Sequence, residues 1–310
     1  MKVFENIKSF SVTWLASTYD KESAQGIIAH YYIPENDNEF IGLCRELYDK
    51  NEKFRVVGYT SNVYIRPNTN IDHLISIRHL NKFHIEDGVL VCQCGASVKQ
   101  IVREMIKDGI DGYACMVDLP GTIGGAIYGN AGVSRHSIAQ QLVDVRILLN
   151  NGNIKTFTPD ELNFSYRDSA LKRGELEGII LSCRLKRCLG DEMEIRKEAM
   201  AVHEWRMKNQ PKSYCNLGTT SLLDIAKNTC WGLFLRYVSY AFALLLPSEK
   251  RITFRNKLIM TLMGKPRLAK YLFGLNRYMW TDSVSHEYFD DYVKIINRMY
   301  VRPRLEIEVW

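Results

Sequence analysis

The spacing of apolar residues changes along the chain and predicts a mixture of helices and strands. Apolar residues at helical spacing behind Asn, Asp or Ser caps predict helices at 36–53 and 97–109, and 192–208 is predicted to be a polar, exposed helix. Short apolar runs bounded by turn residues predict strands at 54–57, 74–77, 89–94, 143–149, 154–157 and 179–185. The Asn-Asn-Gly-Asn between two of these strands indicates a hairpin. The first 187 residues therefore favour an α+β or α/β fold.

The last third of the chain has a different pattern. Residues 231–246 are nearly all apolar apart from Arg236. A bilayer-spanning helix needs about 20 such residues and tolerates a central Arg poorly, so a spanning helix is not expected. An amphipathic helix around 288–299 follows. The closing segment 304–309 alternates strictly, which predicts a strand with Leu305, Ile307 and Val309 on one face.

Charge is concentrated in one stretch of an otherwise ordinary composition. The 310 residues are 46% hydrophobic and 25% charged, which is typical of about two globular domains and excludes collagen-like and disordered classes. The formal charge is +6, and residues 248–278 contain eight basic side chains against Glu249 alone. The remainder is close to neutral, so nucleic acid is not an expected partner. The N-terminus lacks the apolar core of a secretory signal, which favours a cytoplasmic location.

The eight cysteines contain no Cys-x-x-Cys pair. Cys92 and Cys94 fall on the same face of a predicted strand, where they are poorly placed for a tetrahedral metal site. We therefore expect reduced, mostly structural thiols and no bound metal.

Two turns are candidates for binding an anion. Five glycines lie between 121 and 132, and glycine lets backbone N–H groups approach a ligand with no Cβ in the way. A diphosphate suits such a loop, although a tight loop packed for structural reasons has the same composition. The turn at 58–62 also follows a strand, and its Gly, Ser and Asn are common in turns without ligands.

In chain order, five segments resemble motifs of the UDP-N-acetylenolpyruvoylglucosamine reductase family. They are GYTSN at 58–62, LPGTIGGAIYGNAG at 119–132, FSYRDSALK at 164–172, QPKSYCNLGT at 210–219 and LEIEV at 305–309. The resemblance covers 54–219 and the last six residues, and it is absent between about 222 and 285.

This resemblance implies an α+β FAD-binding module of the vanillyl-alcohol-oxidase (PCMH) type. The expected domains are FAD-binding subdomains at 1–66 and 67–188 and a C-terminal substrate domain at 189–310, with a divergent apolar and basic insert at about 229–280. The residues implied to bind FAD are Gly58, Tyr59, Thr60, Ser61, Asn62, Pro120, Gly121, Thr122, Gly124, Gly125, Asn130, Ala131, Gly132, Ile179 and Ile180.

The resemblance also implies a reaction, in which NADPH reduces FAD and the flavin reduces the enolpyruvyl ether of a UDP-amino sugar, in cell-wall or surface-polysaccharide synthesis. Arg167 matches the family's cation on the substrate carboxylate, Thr219 its proton donor and Glu308 its polarising acid. Tyr166, Arg206 and Lys208 are the expected substrate-binding residues. The expected partner is thus a small nucleotide sugar, and the oligomeric state is left open.

Several departures from the family pattern leave alternatives open. Thr219 replaces the usual Ser or Cys and adds a stiff β-branched methyl group. Tyr59 and Thr60 replace glycines in the first turn, and Ser-Leu-Leu-Asp replaces the Phe-Lys-Asn-Pro after the proton donor. The alternatives are an FAD enzyme acting on another sugar or alcohol, and a non-catalytic flavin- or nucleotide-binding relative that docks at a membrane. The basic stretch within 231–278 fits a substrate diphosphate, an anionic lipid surface or a solvated helical face.

Overall fold

A computed structural model describes the chain except for 9–25, 67, 134–135, 210–218, 224, 273 and 276–283. The predictions for the QPKSYCNLG motif and for Cys215 lie outside the described residues. The described chain forms two compact units. The first contains 1–8, 26–61 and 70–209, and the second contains 62–69 and the described residues from 219 onward.

The strands form two larger sheets and three short pairings. In chain order they are β1 (Lys2–Lys8), β2 (Gly26–Ile33), β3 (Phe54–Val57), β4 (Val63–Tyr64), β5 (Thr69–Ser76), β6 (Phe83–Glu86), β7 (Val89–Gln93), β8 (Gly132–Val133), β9 (His136–Ser137), β10 (Leu142–Leu149), β11 (Ile154–Phe157), β12 (Gly178–Leu185), β13 (Lys227–Asn228), β14 (Tyr300–Val301) and β15 (Glu308–Val309). One sheet has the order β1-β2-β5-β3, with β3 parallel to β5. The other is antiparallel in the order β11-β10-β12-β7-β6.

The helices lie between and after these strands. They are α1 (Asp37–Asp49), α2 (Val98–Lys107), α3 (Ile123–Tyr128), α4 (Ala170–Arg173), α5 (Glu192–Asn209), α6 (Cys230–Ala243), α7 (Ser248–Leu262) and α8 (Val284–Met299). Short 3₁₀ turns occupy Ala114–Met116, Ile138–Gln141 and Pro266–Tyr271.

The sequence signals that rest on local chemistry are confirmed. Asn36 caps α1 by accepting a hydrogen bond from the Glu39 amide at 3.0 Å, and Ser97 caps α2 in the same way. The α2 helix ends before Gly109, whose φ of 67° is the left-handed conformation of a helix terminus. Both helices bury their apolar stripes in the core under the five-stranded sheet, and the predicted hairpin joins β10 to β11. The α+β fold is therefore present.

The closing segment differs from its prediction, because only Glu308–Val309 is a strand. Leu305 instead forms an antiparallel bridge with Ser221, while Glu308 pairs in parallel with Val63. The chain bends at Glu306 and Ile307 as it changes partner, and this bend interrupts the strict alternation. Of the three residues expected on one buried face, Ile307 is buried and the other two are half-buried.

The apolar segment at 231–246 forms α6, a helix of 14 residues. Among the described residues, no helix is long and apolar enough to cross a membrane.

The seven described cysteines are free, and five of them are buried. Cys183 lies opposite Cys92 across the β12–β7 pair. A hydrogen bond between the two thiols, together with burial, raises the pKa of Cys183 well above its ordinary value. Burial raises the pKa of the Cys44 thiol to about 12 and that of Cys115 to about 11. These thiols are protonated packing groups of the core. Among the described residues, no cluster of His, Cys, Asp and Glu has the arrangement of a metal site.

Helix α5 is fastened to the loop that precedes Pro120 by a small ion cluster. The His203 Nδ1 lies 2.5 Å from the Asp118 carboxylate, and the Lys99 ammonium lies 3.6 Å from it. Partial burial raises the pKa of Asp118, but the hydrogen bond and charge of His203, with Lys99 and Arg206, outweigh burial and hold the pKa below its ordinary value. The ionised carboxylate therefore stabilises the folded state.

We expect Asp118→Asn to lower the free energy of unfolding at pH 7 by about 1 kcal/mol, the scale of a partly exposed ion pair. Because the folded pKa of Asp118 lies below the unfolded value, the benefit is complete above about pH 4 and disappears as the pH falls further. Urea unfolding of both proteins across this pH range measures the difference. Asp160→Asn, at an exposed position, is the control. A difference that stayed constant down to pH 2 to 3 would contradict a role for the ionised carboxylate.

Candidate functional site

The turn at 58–62 follows β3 and packs directly against the glycine-rich loop. A Cβ placed on Gly58 would lie 2.4 Å from the Thr122 Oγ1, so only glycine permits this approach. Gly121 has a φ of 106°, and a Cβ there would lie 2.8 Å from the Ser61 Oγ. The structure thus brings together, within the first unit, two turns that are about sixty residues apart in sequence.

Thr60 adopts a conformation that is unusual for a β-branched residue. Its φ is 55°, in the left-handed region, and its side chain is buried. This is one of the two positions where the sequence departs from glycine. Its hydroxyl donates to the Tyr59 carbonyl at 2.7 Å. The turn therefore keeps a backbone shape suited to glycine although its side chains are larger.

The loop at 119–125 leads into α3 with several backbone amides left open. Thr122 caps α3, accepting from the Gly125 amide at 3.3 Å, and the Gly124 amide donates to Cys94 in β7. By contrast, the amides of Tyr59, Ser61, Gly121 and Thr122 donate no hydrogen bond to another described residue. Open amides on two adjoining turns form a set of donors suited to an anion with several oxygens, such as a diphosphate.

The second half of the glycine-rich loop is tied to the segment that contains Arg167. The Asn130 Nδ2 donates to the Ser165 carbonyl at 2.7 Å, and the Arg167 Nη2 donates to the Gly132 carbonyl at 2.6 Å. Arg167 has a φ of 57°, and its guanidinium lies 5.6 Å from the centre of the exposed Tyr166 ring. The Asn130 Oδ1 is buried and has no hydrogen-bond partner among the described residues. An unsatisfied buried acceptor is costly, and a ligand donor would relieve it.

The neighbouring residues of Arg167 have structural roles. The Ser169 hydroxyl donates to the Tyr128 carbonyl at 2.7 Å and accepts from the Lys172 amide, which caps α4. Asp168 is buried and forms an ion pair with Arg173. The arginine of the motif is held by its hydrogen bond to the Gly132 carbonyl.

Four further predicted residues lie elsewhere in the first unit. Ile179 and Ile180 are in β12, opposite Leu148 and Ile147 of β10. Arg206 is on α5, where its Nη2 donates to the Asp118 carbonyl at 3.3 Å. Lys208, two residues further along the same helix, is exposed.

The remaining two candidate catalytic residues lie in the second unit. Glu308 belongs to β15, and its amide donates to the Asn62 carbonyl at 2.9 Å. The Glu306 amide donates to the Thr220 carbonyl, as part of the antiparallel contact between 220–222 and 304–306. Thr219 directly precedes the first residue of that contact in the chain, and Glu308 follows Glu306 by two residues.

Asp118, Lys99 and His203 form a feature that sequence reasoning missed. With Arg103 and Glu204 they line a cleft of about 330 Å³ between α2 and α5. These residues are up to 104 positions apart, and no spacing rule joins them. The positive φ of Asp118, 59°, is likewise not visible in the sequence.

Comparison with known proteins shows what this chain is similar to. The family model described as an FAD binding domain matches residues 28–158. UDP-N-acetylenolpyruvoylglucosamine reductase 1 of Corynebacterium glutamicum is 30% identical over 65% of this chain and 60% of its own length. The Bacillus pumilus reductase of the same name is 33% identical over 48% of this chain and 46% of its own length.

A solved structure shares the fold over nearly the whole chain. The crystal structure of the Thermus caldophilus UDP-N-acetylenolpyruvylglucosamine reductase superimposes with a TM-score of 0.63 at 21% identity, and it covers 93% of this chain and 94% of that one. In sequence, the chain spans about three fifths of the length of the first curated relatives that it matches. The matched FAD-binding domain, the curated relatives and the common fold together make this chain similar to the UDP-N-acetylenolpyruvoylglucosamine reductases.

Proposed function

We propose that this protein is an FAD-dependent oxidoreductase that uses NADPH to reduce the enolpyruvyl ether of a UDP-amino sugar. The observation that carries the proposal is the close packing of the turn at 58–62 on the loop at 119–125, with open amides on both. The curated relatives are named for this reductase activity, and the matched domain is named for FAD.

The residues of the first unit fit the diphosphate of FAD. The amides of Tyr59, Ser61, Gly121 and Thr122 supply hydrogen-bond donors. A Cβ on Gly58 or Gly121 would clash with the opposite turn and push the two turns apart. The unsatisfied Asn130 Oδ1 adds a buried acceptor at the far end of the same loop. A group with many acceptors and a few ribityl or ribose hydroxyls matches these requirements. When bound, FAD supplies the hydride transfer between NADPH and the substrate.

The roles of the side chains follow from the charge that develops when a carbon–carbon double bond next to a carboxylate is reduced. We assign to Arg167 the binding of the substrate carboxylate and the stabilisation of negative charge at that group, since a fixed cation there lowers the barrier. Its hydrogen bond to the Gly132 carbonyl holds the guanidinium in place, so little reorganisation is needed. Tyr166 presents an exposed ring beside this guanidinium and is assigned to substrate contact.

Thr219 and Glu308 are assigned to proton transfer. The Thr219 hydroxyl protonates the carbon next to the carboxylate, and Glu308 polarises the enol. Both residues are half-buried and are held by backbone hydrogen bonds of their neighbours, at Thr220 and Glu308 itself. Arg206 and Lys208 supply positive charge on α5 for the anionic part of the nucleotide sugar.

The cradle assignment predicts that Gly58→Ala lowers FAD retention. The added methyl meets Thr122 at 2.4 Å, and separating the turns misplaces the amides. Overpacking of this kind costs about 1 to 3 kcal/mol, so we expect FAD affinity to fall roughly tenfold or more. Flavin absorbance per protein after dialysis measures retention.

Two variants make this test specific. Gly42→Ala adds the same methyl in α1, where nothing lies within 4 Å, and should retain the flavin. Thr122→Ala removes the two atoms that clash most with the added methyl group. In a Thr122→Ala background, Gly58→Ala should therefore lower flavin retention less than it does in the wild-type background. Unchanged flavin content in Gly58→Ala would show that FAD is not held by these turns.

The charge assignments predict that Arg167→Ala and Glu308→Gln keep bound FAD and lose activity. Removing a group that stabilises developing charge costs about 10² to 10³ in rate. Substrate-dependent NADPH oxidation with UDP-N-acetylenolpyruvylglucosamine measures the effect. Arg196→Ala, an exposed arginine that pairs with Glu192, is the control. Turnover equal to wild type in both variants would refute the site, whereas a wild-type protein that holds FAD but shows no response to this substrate would refute the substrate.

The proton-donor assignment predicts a difference between Thr219→Ser and Thr219→Val. Serine keeps the hydroxyl and should keep activity within a few-fold of wild type. Valine keeps the shape without the hydroxyl and should lower the turnover rate by about 10² to 10⁴. Single-turnover measurements separate FAD reduction by NADPH, which should be unchanged, from substrate reduction. A Val variant with wild-type turnover would exclude Thr219 as the proton donor.

A further inference from the structure

Helix α6 turns its largest apolar side chains away from the rest of the second unit. Tyr237 is 76% exposed and Leu245, just beyond the helix, is 82% exposed. Residues on this side recur at helical spacing and form one continuous surface, the outer face of α6. Its members are Trp231, Phe234, Tyr237, Tyr240, Leu244 and Leu245, each at least 44% exposed.

The opposite side of α6 explains why this face is exposed. The buried residues on that side are mostly small, namely Gly232, Ser239 and Ala243, together with Leu235. A Cβ on Gly232 would lie 1.9 Å from the Met299 carbonyl at the end of α8, so the helix backbone rests directly on its neighbour. Because only this small-residue side permits such close packing, the aromatic side must face outward.

One basic side chain of α7 contacts the outer face of α6, and other basic side chains lie exposed on and just after the same helix. The Arg255 guanidinium of α7 lies 5.6 Å from the centre of the Tyr240 ring. Trp231 Nε1 lies 3.3 Å from the Met263 sulfur just after α7, which joins the two helices along one surface. Lys250 and Lys257 on α7 and Arg267 beyond it are exposed. Glu249 is the single acidic residue between 229 and 278.

We propose that this surface docks the protein on a lipid bilayer that carries anionic headgroups. Tyr and Trp rings favour the depth of the bilayer interface, and Lys and Arg at its margin pair with anionic headgroups. A second copy of the chain is a poorer occupant, since a two-fold contact would bring like charges together. Nucleic acid has the negative charge that the basic side chains would attract, but its binding would leave the aliphatic and aromatic side chains of the outer face of α6 exposed to water. The proposal is independent of the reductase reaction.

Flotation with vesicles tests the proposal on the full chain with its cofactor. We expect the protein to float with vesicles of equal parts phosphatidylcholine and phosphatidylglycerol and to remain at the bottom of the gradient with vesicles of phosphatidylcholine alone. Binding to the anionic vesicles should weaken as the salt concentration rises. Two variants should each bind anionic vesicles at least roughly tenfold more weakly than wild type. They are the triple variant Phe234→Ser, Tyr237→Ser, Leu245→Ser and the charge variant Lys250→Glu, Lys257→Glu, Arg267→Glu. Quenching of tryptophan fluorescence by brominated acyl chains should fall in Trp231→Phe while flotation persists.

Matched control variants distinguish binding through this surface from nonspecific binding through other exposed apolar or basic side chains. Leu189→Ser with Met193→Ser removes two side chains that are 83% and 82% exposed in the first unit, and Lys107→Glu, Lys155→Glu, Lys197→Glu reverses three exposed charges there. Both should bind vesicles as wild type does. Thermal melts of each variant confirm that it is folded.

Three outcomes would overturn the proposal. The first is an absence of flotation with anionic vesicles, or equal flotation of the triple variant. The second is a dimer in light scattering that the triple variant abolishes, which would make the occupant a second copy. The third is binding of an oligonucleotide that the charge variant abolishes, without binding of vesicles, which would make it nucleic acid.

Discussion

The candidate site depends on one steric constraint, the absence of a side chain at Gly58 where it meets Thr122. Strand β3 ends just before this glycine, and the N-cap of α3 lies against it. The contact brings together two turns whose amides at Tyr59, Ser61, Gly121 and Thr122 donate no hydrogen bond to another described residue. Thr60 and Gly121 both have a positive φ, so the backbone itself sets the shape of the two turns. Because these donors are main-chain groups, the candidate binding surface depends on backbone shape more than on side-chain identity.

Main-chain hydrogen bonds hold candidate residues within each unit. In the first unit, the Arg167 guanidinium donates to the carbonyl of Gly132, at the end of the loop that begins with the glycine turns. In the second unit, the last residues of the chain pair with 220–222 before turning to pair with 62–64, and the Glu308 amide donates to the Asn62 carbonyl. In both units a main-chain group fixes the position of the candidate residue.

Local signals in the sequence predicted local structure well. The caps at Asn36 and Ser97 and the hairpin before β11 each involve residues that are close in the chain. They can therefore be predicted without knowledge of the tertiary structure. The glycine turns and Arg167 were chosen for a different reason, namely their resemblance to the motifs of the reductase family. The bend at Glu306, the partnership of Asp118 with His203 and the outward face of α6 were not predictable. Each depends on contacts between distant residues, or on which side of a helix finds a neighbour.

The buried thiols bear on the chemistry expected of a flavoprotein. Cys92 and Cys183 face each other inside the five-stranded sheet, with Cys44 and Cys115 in the same core. Burial raises the pKa of Cys44 and Cys115, and the hydrogen bond with Cys92 together with burial raises the pKa of Cys183. Oxidants react with thiolates and hardly with protonated thiols, so these three core thiols react poorly with them. These cysteines become available to alkylating reagents only when the sheet opens, which makes them internal reporters of that opening.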